Sequence, residues 1–291
     1  MAARLPSASR RAARRDSPPS KRRLRLFFFR LSSFELGLIL FAVIFGAATL
    51  GLVLGRAVRH RSEHIREPLG VLQSALLGLV GLVLAFGLAL AVGRYESRRT
   101  AVVDDANAIG TTYLRAQTLP EPIRTRSLER LVRYTDTSIR LSRSVPGSAD
   151  ARKAVADGDV LQRQLWGLGG QALVEEPIAS APRLYIETLN QMIDMQTVRV
   201  AGLNNRVPGP VLAVEVVGAA VALGVLAFYL SLLGRGVTTV LLAAALVTML
   251  LLVTFDLDRP TRGLIRVPDT PLTNLRASMT LPPAATGPKS R

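Results

Sequence analysis

Two histidines four residues apart, His60 and His64, could set both imidazoles on one helical face for a metal ion, with Glu63 between them. They occupy a short loop between apolar runs, no third ligand stands near, and the order is not that of a zinc-protease helix. No metal site is expected from them. Gly167-Leu168-Gly169-Gly170 has the look of a phosphate loop, but it follows Trp166 on a helical pattern and lacks a following lysine and hydroxyl residue. A helix break is expected there instead. The adjacent carboxylates Asp104 and Asp105, and likewise Glu175 and Glu176, would point about 100° apart on a helix, so neither pair makes an acid/base couple. Cysteine is absent, which excludes disulfides, thiolate metal sites and cysteine nucleophiles. No catalytic residue, metal or cofactor is assigned, and an enzyme is not expected.

The charges that carry information lie next to apolar sequence. Glu215 stands within an apolar run, where an ionised carboxylate costs several kcal/mol unless it meets water or a partner. It is about one turn from Pro210, so two placements are open: the membrane interface, or a polar site facing a helix bundle. Arg94 and Arg98, four apart, would share a helical face just past another apolar run, with Glu96 elsewhere. They read either as membrane anchors or, in a homo-oligomer, as rings that concentrate anions at an inner vestibule.

The elements that position these residues follow from hydropathy. Hydrophobic residues make up 49% of the 291, yet aromatics only 5%, and the apolar residues gather in four runs: Phe34 to Gly55, Leu69 to Gly93, Val211 to Leu233 and Gly236 to Phe255. At about 1.5 Å per residue each reaches the roughly 30 Å of a bilayer core. A soluble bundle is excluded because Leu76 to Val92 has no polar stripe on any face. The expected architecture is all-α: four transmembrane helices in two hairpins, 34–93 and 208–255, with a helical domain over 94–207 between them.

Net charge is +16, and residues 1–30 carry ten Lys and Arg against Asp16 alone. A basic tail can bind nucleic acid, but this one abuts a span and has no aromatic residue interleaved before Phe27, so the positive-inside rule accounts for it and no nucleic-acid partner is expected. The first run is too long for a signal-peptide core and stays as an anchor, although an Arg- and Ser-rich organellar transit peptide has the same composition as residues 1–25. With the tail inside, the loop holding Arg56, Arg59, Arg61 and Arg66 lies outside. The middle domain, the tail 256–291 and both termini then lie in the cytoplasm. Arginine far outnumbers lysine, found only at Lys21, Lys153 and Lys289, a bias of GC-rich bacterial genomes that points to a bacterial inner membrane.

No proline or glycine cluster separates Val92 from Tyr113, so the second span is expected to continue as one long helix. Turns are expected at Leu119-Pro120-Glu121-Pro122, at Pro146-Gly147, and at Pro177 and Pro182. Another break falls at Pro208-Gly209-Pro210. Leu189, Met192, Ile193, Gln196, Val200 and Leu203 keep the spacing of an amphipathic helix. Residues 259–291 read as an extended tail, laid on the domain near Leu264 to Val267 and disordered after Met279. Gly51 and Gly55 form a GxxxG pair, and Gly70, Ser74 and Gly78 recur every four residues. Such spacing either lets helices approach closely or reflects the frequency of glycine in membrane helices.

Several strings resemble a bestrophin-like family of integral membrane proteins. They are Arg94-Tyr95-Glu96-Ser97-Arg98-Arg99, the segment from Asp105 through Asn107, Gly110 and Tyr113 to Arg115, and Leu119-Pro120-Glu121-Pro122. Further on come Phe255-Asp256-Leu257-Asp258-Arg259-Pro260 and Arg262-Gly263-Leu264-Ile265-Arg266-Val267. The resemblance spans roughly residues 35–279. It implies two membrane hairpins, long helices extending inward, and kinship with oligomeric anion channels whose second span lines the path. On that expectation Gln73 and Ser74 lie near the outer mouth, Leu77, Gly81 and Leu84 at an apolar constriction, and Arg94 and Arg98 at the inner vestibule. The partners are a lipid bilayer, other copies of the chain, and chloride or other small anions. The chain departs from those channels in having Phe86 as the only aromatic of its second span, and in having no carboxylate cluster around Asp256 and Asp258 for calcium. A membrane-anchored interaction or sensory protein is the alternative.

Overall fold

A computed structural model describes residues 32–59, 66–234, 236–259, 261 and 263–283. The basic tail, His60, Glu63, His64, Arg235, Pro260 and Arg262 lie outside the described residues, as does the chain after 283. Among the described residues every element is helical: α1 Ser33–Val58, α2 Arg66–Ala116, α3 Ile123–Arg143, α4 Ala149–Glu175, α5 Ser180–Asn204, α6 Gly209–Leu232, α7 Val237–Leu257 and α8 Thr270–Ser278. Four stretches are long and apolar enough to cross a membrane: α1, α2, the length containing α6, and α7.

Local chemistry sets the ends. Ser32 caps α1 reciprocally, its hydroxyl accepting from the Glu35 N–H while Glu35 accepts from the Ser32 N–H at 2.6 Å. Pro208 cannot donate a backbone hydrogen bond, so α5 stops before it and α6 starts after it. Gly236, at φ +99°, makes the left-handed turn that starts α7, a conformation other residues avoid. Nothing comparable interrupts α2, which runs unbroken for 51 residues, about 76 Å.

The apolar half of the molecule is organised around α6, which packs against α1, α2 and α7. The main partner of α1 is α6, not α2, its neighbour in sequence, with which it makes at most marginal contact among the described residues. The GxxxG pair supplies the reason. A Cβ on Gly51 would collide with the Gly224 carbonyl of α6, and one on Gly55 would lie 2.6 Å from the Phe228 carbonyl oxygen. Absence of side chains lets the two backbones meet, which is how helices associate where lipid removes the hydrophobic drive. Gly70 contacts the Tyr229 ring, whereas Gly78 faces open space.

The second half of α2 packs along α5, with the α3–α4 pair and α8 completing the domain. Its core gathers Ile109, Leu119, Leu131, Tyr134, Leu165, Tyr185, Leu189, Met192 and Leu272. Two sequence expectations need correction here. The Gly167–Gly170 run does not break α4, because Gly169 lies against Tyr185 and Ile186 of α5, and a Cβ there would be 2.9 Å from Ile186 Cγ1. Nor is the region after Asp269 an extended tail: α8 forms and buries Leu272 completely, with Met279 also inside.

Two ion pairs join α8 to α3, Arg276–Asp136 and Arg143–Asp269, each at 2.7 Å. They are partly exposed, so apolar burial rather than charge holds α8 down. Arg276→Ala should therefore cost no more than about 1 kcal/mol in chemical unfolding of the purified protein.

Candidate functional site

Helix α2 presents two unlike faces. Leu84, Gly87 and Ala91 form its buried stripe, Leu84 being only 4% exposed within the core it shares with Leu212, Ala219 and Leu223. About a third of a turn round the helix the surface is open along Ser74, Gly78, Gly81 and Ala85, with the exposed Leu79, Leu82 and Phe86 beyond them, and a Cβ on Gly78 or Gly81 would meet nothing within 4 Å. Of the residues expected to line a path, Ser74 and Gly81 are on this open side. Gln73 and Leu77 are half-buried, Leu77 packing against the core. Leu84 points into its own subunit and is withdrawn from the set, since seven residues separate it from Leu77 on the inward stripe. Ser74 bonds back to the Gly70 carbonyl at 2.9 Å, so its hydroxyl is satisfied within the helix.

Glu215 faces the bundle. It is 1% exposed, and its carboxyl occupies the space where a Cβ of Gly87 would stand. Of the two placements open in the sequence, this burial agrees with a side chain turned toward the helix bundle.

At the end of the apolar region α2, the α5–α6 link and the end of α7 converge. Arg98 lies at the centre, 3% exposed, donating to the carbonyls of Asn205 at 2.8 Å, Leu257 at 3.1 Å and Gly202 at 3.3 Å, and facing Asp258 at 3.6 Å. Asp258 in turn accepts from the Val207 N–H at 3.0 Å. One guanidinium thus satisfies the Asn205 and Leu257 carbonyls, which two helix ends leave without intrahelical partners, and joins the Asn205 N–H on the Gly202 carbonyl. The expectation that Arg98 lines a vestibule is corrected: its donors are turned inward and used. Arg94, one turn earlier, is half-buried, bonds Asn205 Oδ1, and borders a recess of about 320 Å³ with Ala89, Leu90, Gly93 and Ser97.

Some of the remaining signature residues fasten the chain after α7, Asp256 to the end of α7 itself and Gly110 and Tyr113 to α2. Asp256 accepts from the Ile265 N–H at 2.8 Å, and its carboxyl fills the space beside Gly263, whose φ of +131° and missing Cβ permit the approach. Arg259 is buried beside them in sequence. Further along α2, Gly110 meets Leu275 of α8, and the Tyr113 hydroxyl donates to the Met279 carbonyl at 3.1 Å. Glu96 is exposed and pairs with Arg99 at 3.4 Å. Asn107 is exposed, its carbonyl accepting from the Thr111 hydroxyl. Asp256 and Asp258 serve backbone N–H groups. Among the described residues no three carboxylate or imidazole side chains converge to hold a metal ion.

A second buried ionic centre lies deeper in the domain. Arg199 of α5 pairs with Asp105 of α2 at 2.6 Å, and Asp105 accepts from the Ser138 hydroxyl of α3 at 2.6 Å. Arg199 also reaches the Ser138 carbonyl at 2.9 Å and the Ser142 hydroxyl. Beside it Tyr134 donates to Gln196 at 2.8 Å and accepts from Gln162 at 3.1 Å, and burial pushes its phenol above the ordinary range, keeping it a neutral donor. Sequence reading missed Arg199. The available signal was position: it continues the Met192, Gln196, Leu203 stripe of α5, where a charge amid buried residues demands a buried partner.

The arrangement resembles solved structures. A bacterial bestrophin homologue from Klebsiella pneumoniae, solved by Zn-SAD phasing, superposes with a TM-score of 0.61 at 14% identity, covering 81% of this chain and 97% of that one. Two substituted forms of a bacterial bestrophin homologue from the same organism give 0.62 at 14% identity, covering 81% and 97%, and 0.60 at 16%, covering 81% and 93%. At such identities the likeness is one of fold. No curated protein sequence matches the chain. The model of the bestrophin-like domain matches residues 40–272, most of the length, and the chain therefore belongs to the bestrophin-like family.

Proposed function

We propose that the chain is a homo-oligomeric membrane pore for small anions such as chloride, with the open side of α2 facing the path. The observation that carries this reading is the asymmetry of α2. One stripe is sealed against α6 while Ser74, Gly78, Gly81 and Ala85 remain uncovered by the subunit, small residues that leave room beside an axis. Arg94 beside its recess supplies positive charge at the inner end of α2, on a different side of the helix from that stripe. Membership of the bestrophin-like family supports a channel over an enzyme. The spans are read as two hairpins, with the +9 tail of residues 1–30 holding the helical domain and both termini in the cytoplasm.

Purified protein in chloride-loaded liposomes should release chloride down its gradient, and Gly81→Leu should slow the release by narrowing the path. Arg94→Ala should lower preference for anions over cations. An oligomer that stays impermeable across pH and calcium concentration overturns the reading.

One observation favours a non-conducting interaction protein instead. Val174 in the last turn of α4 and Ile178 in the link that follows are 82% and 94% exposed, with Trp166 also open on that helix. A monomer or dimer by mass measurement in detergent would favour that alternative.

A further inference from the structure

Glu215 is a carboxylate with nothing to answer its charge. Neither oxygen has a hydrogen-bond partner, although the side chain is 1% exposed within a single chain. It projects from α6, the helix at the centre of the apolar bundle, onto the backbone of α2 at Gly87. The seat is shaped for it: Leu84 and Ala91, the neighbouring positions on the stripe, are buried and apolar, and only glycine leaves space for the carboxyl.

No ionisable side chain lies between Glu35 and Arg56 on α1, between Glu67 and Arg94 on α2, or between Val237 and Asp256 on α7, and α6 itself adds only Tyr229. The ionisable groups that flank these apolar stretches on the junction side are Arg94, Arg98, Arg206, Asp256, Asp258 and Arg259. Arg94 follows Gly87 by seven residues, about 10 Å along the helix, and is bonded to Asn205. Arg98 lies further still and is held by Asp258 and three carbonyls. Glu35 sits at the start of α1, tied to Ser32. An unpaired anion in such a place carries a desolvation cost of several kcal/mol, more than the roughly 1–3 kcal/mol for each unpartnered polar group of a neutral carboxyl.

We propose that Glu215 is a proton-binding site whose neutral form seats α6 on Gly87 of α2, and whose deprotonation parts these two helices. The sign follows from the seat. Packing of α2 on α6 is complete while the proton is held and is lost as pH rises through the value at which the folded protein releases it. The site rests on helix packing alone and holds whether or not the chain conducts.

The test uses full-length protein in lipid nanodiscs. Infrared spectra at about pH 7, where ordinary carboxyls are ionised, should contain the carbonyl band of a neutral carboxyl, absent from Glu215→Gln. The melting temperature of the wild type should fall between about pH 6 and about pH 9, and that part of the fall should vanish in Glu215→Gln, which keeps the shape of the neutral acid. Gly87→Ala, which crowds the carboxyl from its seat, should weaken or shift the band. A wild-type spectrum lacking the band overturns the proposal without need of any variant, and so does an unchanged pH profile in Glu215→Gln.

Discussion

Arg98→Met is expected to destabilise the protein by about 3–5 kcal/mol, the cost of removing one partner from a buried ion pair. The substitution takes from Asp258 its Arg98 partner, leaving the Val207 N–H and the charges of Arg206 and Arg94, and removes the donor that serves the carbonyls of Asn205 and Leu257. Each buried acceptor left unmade costs about 1–3 kcal/mol when counted alone. The loss should appear in thermal and chemical unfolding of the detergent-solubilised protein. Adding Asp258→Asn should recover part of it, because the carboxylate that lost its partner is then gone, and the size of that recovery measures the coupling between the two side chains. Additive losses in the double variant would contradict the pairing.

Gly51→Leu is the other large effect expected, about 3 kcal/mol or more, because a side chain there must displace the Gly224 backbone of α6 rather than a movable side-chain end. Gly51→Ala should already cost roughly 1–3 kcal/mol. An internal control lies in the same helix: Gly46 has nothing within 4 Å of where its Cβ would be, so Gly46→Ala should be neutral or slightly stabilising. Unfolding curves for the three variants decide the matter. Equal behaviour at positions 46 and 51 would show that close approach of α1 to α6 carries no weight.

Much of this molecule was legible in one dimension. Uninterrupted hydropathy announces spans, and the lack of any breaker after Val92 announces the length of α2, because both depend only on neighbours along the chain. What was not legible depends on neighbours in space. Hydropathy could not say that α1 leans on α6, because a lipid-facing leucine and a buried one have the same composition. Arg94 and Arg98 looked equivalent four residues apart, yet the carbonyls of Asn205 and Leu257, far along the chain, draw only Arg98 inward.

The Gly167–Gly170 run shows the same limit from the other side. Glycine serves either to bend a helix or to let another approach, and Tyr185 and Ile186 of α5 decide which. For α8, nine residues with one fully buried side chain carry too weak a periodicity to distinguish from a tail. Glu215 was recognised as anomalous, but its seat was hidden because glycine at position 87 looks like any glycine of a membrane helix.

The unbroken length of α2 makes it a lever arm. With no proline between Leu69 and Ala116, an angular displacement at either end arrives at the other without a joint to absorb it. One degree of tilt carries the tip of such a rod about 1.3 Å. Whatever grips the helix at Tyr113 is thereby mechanically connected to the lipid-level segment, and a force applied by the closing turn of the polypeptide would be felt some fifty residues away as a swing.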